Sequence, residues 1–361
     1  MPQAGSETTM FLVHRRTLVG SILAAAVAGS LGRPTAAASD RKDIIGVSIP
    51  TLENPFWVLA VRLAKYVATE LNIDLAVVAA ANQEQKQLRD VQSLLSRGVD
   101  ALVVAPQSTA NAPGLIRLAD RAQKPIMIVD RYPGFPAENE QEPYLGFIGP
   151  DDVRAGDSIA NFLIHHGASK LVGIGGTPGS SVAEGRQKGL MQALAAAGSK
   201  ATLVQYVGAG ETETDGYAAM QKLLSAHPAG TIDGVWCYND ALCLGAFRAV
   251  RQTGRSGQII LGGMDLIPQA LGLIAKKTDY VYSTGGHWLQ LGSGVVIAFD
   301  KLHGHDPLQR DIRQPLLDLD SETIEKFKSE YIDNPLPFNV KDYTLTFNPR
   351  TKSQVFPLVL Q

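Results

Sequence analysis

The chain has 361 residues, of which 45% are hydrophobic and 19% are charged, and its formal net charge at pH 7 is -2. A nearly neutral chain without a basic stripe is not expected to bind nucleic acid or an anionic membrane surface. The length exceeds what a single hydrophobic core usually serves, so two domains are expected in a globular fold.

The first forty residues have the pattern of an export signal. Arg15 and Arg16 precede a moderately apolar run at 20–31, and small residues follow at 35–38. A basic start, an apolar middle and a small-residue cleavage site are the three parts of such a signal. The paired arginines are typical of the twin-arginine type, and the apolar run is shorter than the about 20 residues of a membrane span. We therefore predict a cleaved twin-arginine signal at 1–38 and a periplasmic location.

Short β-branched runs alternate with longer amphipathic segments in the first half of the remaining chain. The predicted strands are 44–49, 74–78, 101–104, 125–129 and 144–148. The predicted helices are 55–71, 83–96 and one that begins at Ala112. Strands separated by helices of this length imply right-handed crossovers and a parallel sheet.

The same rhythm restarts in the second half. The predicted helices are 152–165, 182–196, 215–226, 241–251 and 268–275, and the predicted strands are 171–174, 202–206, 234–237, 259–261 and 280–283. In the tail we predict a helix at 321–331 and a strand at 343–347. The pattern predicts an α/β fold of two Rossmann-like lobes with parallel sheets, and a cleft at the carboxyl ends of the strands.

From this pattern we predict three parts after the export signal: an N-terminal lobe, a C-terminal lobe and a C-terminal segment. The predicted bounds are 43–148 plus 286–315, then 149–285, then 316–361. Cys237 and Cys243 are the only cysteines. A disulfide is permitted outside the cytoplasm, but two buried thiols are favoured because the pair flanks a strand-to-helix turn. No metal or cofactor is expected, since no Cys/His spacing suits a metal and the glycine-rich stretch 173–181 lacks the lysine of a phosphate loop.

Polar and aromatic residues follow the carboxyl ends of the predicted strands, where open α/β sheets bind ligands. Planar polar groups exchange hydrogen bonds with adjacent hydroxyls, and aromatic faces cover the C–H face of a sugar ring. The stretches concerned are LENPFW at 52–57, VDRYP at 129–133, GSSVAEGRQKG at 179–189, YNDALCLGAFRAV at 238–250 and GGMDLIP at 262–268.

In these stretches the chain resembles the periplasmic sugar-binding proteins of the ribose-binding type, which have the type I periplasmic binding protein fold and serve as solute receptors of ABC importers. The resemblance covers roughly 44–302. It implies that ligand hydroxyls bind to Asn54, Asp130, Arg131, Arg186, Asn239 and Asp265. It also implies that Phe56 and Trp57 stack on the ring, and that the lobes close about a hinge on binding.

Two positions depart from the ribose-type pattern. Glu211 stands where that pattern has an aromatic residue, and Gly286 stands near its glutamine. A carboxylate at 211 favours a ligand with extra hydroxyls or a cationic group. The missing side chain at 286 is expected to enlarge the pocket, unless His287 or Trp288 fills it.

Each candidate also has a purely structural explanation. Asn54 and Asp265 could cap helices, Trp57 could be core, and Asp130 with Arg131 could be a surface pair. We assign Asn239 to the ligand and Asp240 to the cap of the helix that follows. For Arg186 we expect a ligand contact whose removal leaves the stability of the ligand-free protein nearly unchanged.

The sequence therefore predicts a receptor without enzymatic activity. It would bind a sugar or polyol as a monomer and deliver it to the membrane permease of an ABC importer. A sensory receptor that signals to a membrane histidine kinase or chemoreceptor is the alternative, because both would use the same fold. A sugar-responsive repressor would need a helix-turn-helix where the export signal stands, and an enzyme would need a nucleophile or metal set.

Overall fold

The computed structural model describes residues 41–137, 143–333 and 336–360, so the predicted export signal at 1–38 lies outside the described residues. Twelve strands are found in this part of the chain: β1 (Ile44–Ile49), β2 (Asp74–Ala79), β3 (Ala101–Val104), β4 (Ile126–Val129), β5 (Tyr144–Pro150), β6 (Lys170–Gly175), β7 (Thr202–Gly208), β8 (Gly234–Cys237), β9 (Ile260–Asp265), β10 (Tyr280–Gly285), β11 (Asp311–Gln314) and β12 (Leu317–Leu319). The α-helices are α1 (Pro55–Leu71), α2 (Glu84–Ser96), α3 (Ala112–Arg121), α4 (Asp152–His165), α5 (Ser181–Ala197), α6 (Glu213–Ala226), α7 (Asp240–Gln252), α8 (Pro268–Ala275), α9 (Leu289–Leu302) and α10 (Ile324–Phe327).

The strands form two six-stranded sheets, which confirms the predicted pair of α/β lobes. The first sheet has the order β11-β5-β4-β3-β1-β2, and the second has the order β12-β10-β9-β8-β6-β7. All pairings are parallel except that of β10 with β12. The central strands β3, β4 and β8 are buried throughout, as expected of parallel strands covered by helices on both faces. Cys237 and Cys243 are buried free thiols, as predicted.

Helices cover each sheet, and a glycine sets the closest approach between two of them. In the first lobe α1 and α9 pack against each other. In the second lobe α4 packs on β9 and β10 and lies against α5. A Cβ at Gly156 of α4 would come within 1.9 Å of the Arg186 carbonyl oxygen, so only glycine permits this spacing. The contact places the start of α4 beside Arg186.

The chain after residue 285 differs from the sequence prediction in several places. Helix α9 and strands β11 and β12 were not predicted. The predicted helix at 321–331 starts later, because Asp320 accepts hydrogen bonds from the backbone of 322 and 323, and α10 then continues as a π-helix at Lys328–Asp333. The predicted strand at 343–347 is wrong: a 3-10 helix spans Val340–Tyr343, and the N–H groups of 345 and 346 donate to the Asp300 carboxylate instead of a neighbouring strand.

Residues 336–360, which lie within the predicted C-terminal segment, are fixed to α9 by buried polar contacts. Gln354 donates to Asp300 at 2.6 Å, and the Phe356 backbone N–H donates to Ser293 Oγ at 3.1 Å. Phe356 and Asp300 are fully buried.

None of the helices in the described ranges is long and apolar enough to cross a membrane, and these ranges contain no His/Cys/Asp/Glu group suited to a metal ion.

Candidate functional site

A small cavity of about 20 Å³ lies where strand ends of both sheets face each other. All nine residues selected from the sequence line it, although they come from segments spread between residues 54 and 265. Tyr238 and His287 complete the lining of Asn54, Phe56, Trp57, Asp130, Arg131, Arg186, Glu211, Asn239 and Asp265. The fold therefore brings every predicted site residue to one place, and their contact with a ligand stays a prediction.

Asn54 caps helix α1 and also faces the cavity. Its Oδ1 accepts a hydrogen bond from the Phe56 N–H at 3.0 Å, and its Nδ2 has no partner among the described residues. The Phe56 ring lies edge-on to Trp57, with 4.9 Å between the ring centroids, and 4.5 Å from the His287 ring. Capping thus fixes the asparagine without using its donor, and Phe56 and Trp57 form a buried apolar wall.

Asp130 and Arg131 follow β4, and both are buried, so they are not a surface pair. Asp130 has a φ of 70°, a strained backbone angle for a residue with a Cβ, and its Oδ1 accepts from Gln290 Nε2 at 2.8 Å. Arg131 donates from Nη1 to the Pro106 carbonyl at 3.0 Å. Its Nη2 lies 3.0 and 3.2 Å from the two carboxylate oxygens of Glu211. The carboxylate at 211 is therefore already paired with a guanidinium.

Arg186 is 3% exposed, so it is not a surface helix residue. Its Nε donates to Asp152 Oδ1 at 3.0 Å, its Nη1 donates to the Tyr238 carbonyl at 2.9 Å, and its guanidinium carbon lies 4.5 Å from the Tyr238 ring centroid. Its Nη2 has no hydrogen-bond partner in the described ranges. Burial raises the pKa of Asp152 to about 7, although Arg186 acts to lower it.

The assignment of Asp240 as the cap of α7 is wrong. Asn239 is the cap, because its Oδ1 accepts from the Leu242 N–H at 2.8 Å. Asp240 is the first residue of the helix. Its carboxylate turns inward and accepts hydrogen bonds from Tyr280 at 2.6 Å and Ser283 at 2.7 Å. Asn239 lines the cavity while it caps, as Asn54 does on the opposite lobe.

Asp265 ends β9 and does not cap α8, whose cap position is Ile267. Its side chain is 5% exposed and its φ is 135°. Neither carboxylate oxygen accepts a hydrogen bond from the described part of the chain, and the nearest ring nitrogen is His287 Nε2 at 3.8 Å. Burial raises the pKa of Asp265 well above its usual range. A buried carboxylate without a donor is costly unless a ligand supplies one.

His287 occupies the segment between β10 and α9 and lines the cavity. Its Nε2 lies 4.0 Å from Asp130 Oδ1, and its Nδ1 is buried without a partner in the described ranges. Burial and the nearby Arg186 lower the pKa of His287 well below its usual range, so the ring is neutral. Of the two outcomes expected for Gly286, the second agrees with the structure: His287 lines the cavity, and a Cβ at 286 would instead meet the Leu358 side chain at 2.7 Å.

From the sequence, His287 is expected only as a residue that could fill the pocket, and Tyr238 is not expected to line it. Both follow a strand end, β10 and β8 respectively, so the rule that found the other candidates applies to them as well. Trp288 lines a separate groove, which is formed by α1 together with Tyr331, Ile332 and Leu336.

A family profile described as a periplasmic binding protein domain matches residues 45–304. The chain belongs to this family. Its relatives include the ribose import binding protein of Salmonella typhimurium, 30% identical over 61% of this chain and 72% of the relative. A xylitol-binding protein of Mycolicibacterium smegmatis is 29% identical over 80% of this chain and 81% of the relative. The family comprises sugar-binding receptors of ABC transporters, as the sequence resemblance implied.

Solved structures show the same fold. A Caulobacter myo-inositol binding protein bound to myo-inositol has a TM-score of 0.71 at 25% identity, with 78% of this chain and 95% of that chain covered. A protein from Burkholderia phytofirmans, described as a twin-arginine translocation pathway signal protein, has a TM-score of 0.76 at 20% identity, with 89% of this chain and all of that chain covered. The second likeness shows the fold alone.

Proposed function

We propose that this protein is a periplasmic receptor that binds a single small sugar or polyol and delivers it to an ABC importer. The observation that carries the proposal is the meeting of nine separately predicted residues around one buried cavity. Its lining combines carboxylates, guanidinium groups and amides with two adjacent aromatic rings. This is the chemistry that hydroxyl groups and the apolar face of a ring require.

The free donors of the cavity support a polyhydroxylated ligand. The cavity volume of about 20 Å³ is far below the about 300 Å³ at which ordinary ligand pockets begin, so a sugar or polyol would enter when the two lobes move apart. The Asn54 Nδ2 and Arg186 Nη2 groups lack protein partners in the described ranges, so they are available to ligand oxygens. The names of relatives include import, ribose-binding and xylitol-binding proteins, which favours transport over sensing.

Delivery to a permease requires that ligand binding change the orientation of the two lobes relative to each other. The chain crosses between the two sheets three times, after β5, after β10 and after β11, and these crossings are the proposed hinge. We expect a monomer whose lobes close on the ligand and present a joint surface to the membrane permease. Small-angle scattering of the mature protein should show a smaller radius of gyration with a validated ligand. An unchanged radius would contradict closure.

A thermal-shift screen against pentoses, hexoses, polyols and cyclitols tests the ligand class. A ligand at 100 times its Kd should add about 2.7 kcal/mol to the free energy of unfolding. Asp265→Asn is the binding-site variant, because this carboxylate holds no protein hydrogen bond whose loss would disturb the fold. Asp120→Asn, on the exposed part of α3, is the matched control. The proposal fails if no sugar or polyol stabilises the protein, or if Asp265→Asn binds as well as the control.

Export has its own test. Arg15 and Arg16 are proposed to direct the chain through a twin-arginine route, with cleavage after Ala38. Replacing both arginines by lysine should leave uncleaved precursor in the cytoplasm. Normal export and cleavage of that variant would contradict the twin-arginine assignment while leaving the binding proposal intact.

A further inference from the structure

The charges around the cavity do not balance. The carboxylates of Asp130, Asp265 and Glu211 line the cavity. The Asp152 carboxylate is not in the lining, but it pairs with Arg186, which is. Among the described residues that line the cavity, Arg131 and Arg186 are the only ones with a guanidinium group. Four carboxylates therefore face two fixed cations.

Each arginine is already paired with one of the outer carboxylates. Arg131 Nη2 lies 3.0 Å from Glu211 Oε2, while its Nε lies 4.0 Å from Asp130 Oδ2. Arg186 Nε lies 3.0 Å from Asp152 Oδ1. Both guanidiniums are buried, so these close contacts are little screened by water. Glu211 and Asp152 thus use the positive charge that Asp130 and Asp265 would otherwise share.

Of the two inner aspartates, Asp130 lies 4.0 Å from the Nε of an arginine that already pairs with Glu211, and Asp265 has no arginine or lysine partner in the described part of the chain. Asp130 accepts one amide hydrogen bond, from Gln290, and Asp265 accepts none from the described part of the chain. The His287 ring lies 4.0 and 3.8 Å from their Oδ1 atoms, but its buried position keeps it neutral. Burial raises the pKa of both aspartates, although the charges of Arg131 and Arg186 act to lower that of Asp130 and the charge of Arg186 acts to lower that of Asp265.

We propose that the ligand itself supplies the missing cation, and that it is an aminated sugar or an aminocyclitol rather than a neutral one. An ammonium group carries three N–H donors and one positive charge, so it can donate to the unfilled acceptors of Asp130 and Asp265 and offset one of the two excess negative charges. The remaining hydroxyls would bind to the asparagine and arginine donors. This inference rests on the proposed function and narrows its ligand class.

Calorimetric titration of the mature protein with matched compounds tests the inference. One arm compares glucosamine, galactosamine and mannosamine with the parent hexoses and with the uncharged N-acetyl derivatives. The other arm compares an amino-deoxy-inositol with inositol, which separates a sugar source of the amine from a cyclitol source. We expect at least one amine to bind about tenfold or more tightly than its hydroxyl parent, since a charge-assisted hydrogen bond is about twice as strong as a neutral one.

Glu211→Gln provides a second readout. Without the Glu211 charge, Arg131 is free to compensate Asp130, so the ratio of amine to parent affinity should fall by about tenfold. Glu213→Gln is the control, because Glu213 is an exposed residue paired with Arg248 outside the cavity lining, and it should leave the ratio unchanged.

Three results would overturn the inference. Neutral sugars or polyols that bind as well as the amines would refute it alone and leave the proposed receptor function standing. The same holds if the N-acetyl derivatives match the amines, or if both glutamine variants keep the same ratio. Failure of every compound, aminated or neutral, would remove the proposed function and this inference with it.

Discussion

Replacing Arg186 by alanine should destabilise the ligand-free protein strongly, contrary to the expectation from the sequence. The arginine holds Asp152 at 3.0 Å and the Tyr238 carbonyl at 2.9 Å, and its own side chain is 4% exposed. Removing one partner of a buried ion pair leaves an uncompensated charge and costs about 3–5 kcal/mol. The free energy of unfolding, measured by urea denaturation of the mature protein without ligand, should fall by that amount.

A matched pair elsewhere in α4 provides the control. Arg154 also lies 3.0 Å from an aspartate, Asp318, but these side chains are 45% and 41% exposed. Exposed pairs contribute about 0–1 kcal/mol, so Arg154→Ala should cost less than about 1 kcal/mol. The double variant Arg186→Ala with Asp152→Asn should recover part of the loss, because it removes the orphaned charge.

The loss should also depend on pH. The pKa of Asp152 is about 7 in the folded protein, above its ordinary value near 3.8, so the folded state holds more protons between these values and stability falls as pH rises. Without Arg186 this pKa should rise further, so the destabilisation should be smaller at pH 5 than at pH 8. A loss below about 1 kcal/mol, or one that is the same at both values, would refute the role given to the buried pair.

Three further outcomes are expected. Asp265→Asn should raise the free energy of unfolding at pH 8 by about 1–3 kcal/mol, because it removes a buried charge without a partner, and an unchanged urea midpoint would contradict this. The parent should lose stability as pH falls from about 6.5 to 5, by at most about 1.4 kcal/mol per pH unit, because His287 stays neutral in the folded state and is protonated in the unfolded state. His287→Gln should reduce this loss, and parallel curves of unfolding free energy against pH for variant and parent would count against it. Asp300→Ala should lower the free energy of unfolding by about 3–5 kcal/mol and make 336–360 sensitive to limited proteolysis, because four hydrogen-bond donors lose their acceptor. Equal cleavage rates for variant and parent would show that other contacts hold this segment.

The sequence predicted the alternating part of the fold well because two physical signals agree there. Hydrophobic periodicity separates strands from helices, and Asn or Pro marks the start of helices such as α1. Residues at strand ends then meet because parallel strands share one carboxyl edge. This rule, together with the resemblance to the ribose-type receptors, is why nine residues could be selected from the sequence.

The rest depended on long-range contacts that leave no local pattern. The 343–347 stretch alternates like a strand, yet its N–H groups are satisfied by Asp300, more than forty residues earlier in the chain. Glu211 and Arg131 were both selected, but their pairing was not predicted, because the two residues lie eighty positions apart in the chain. Asn239 and Asp240 are both good caps by type, and only the inward hydroxyls of Tyr280 and Ser283 decide between them.

The path of the chain has a consequence for the order of folding. Every strand of the second sheet except β12 comes from one uninterrupted stretch, residues 170–285, whereas the first sheet needs β11 and the covering helix α9 from beyond residue 288. A chain that emerges from the ribosome can therefore complete most of the later lobe while the earlier one still lacks α9 and an edge strand. The apolar face of α1 then waits for α9, its packing partner, so during synthesis the lobe that is made first becomes the last to bury its core.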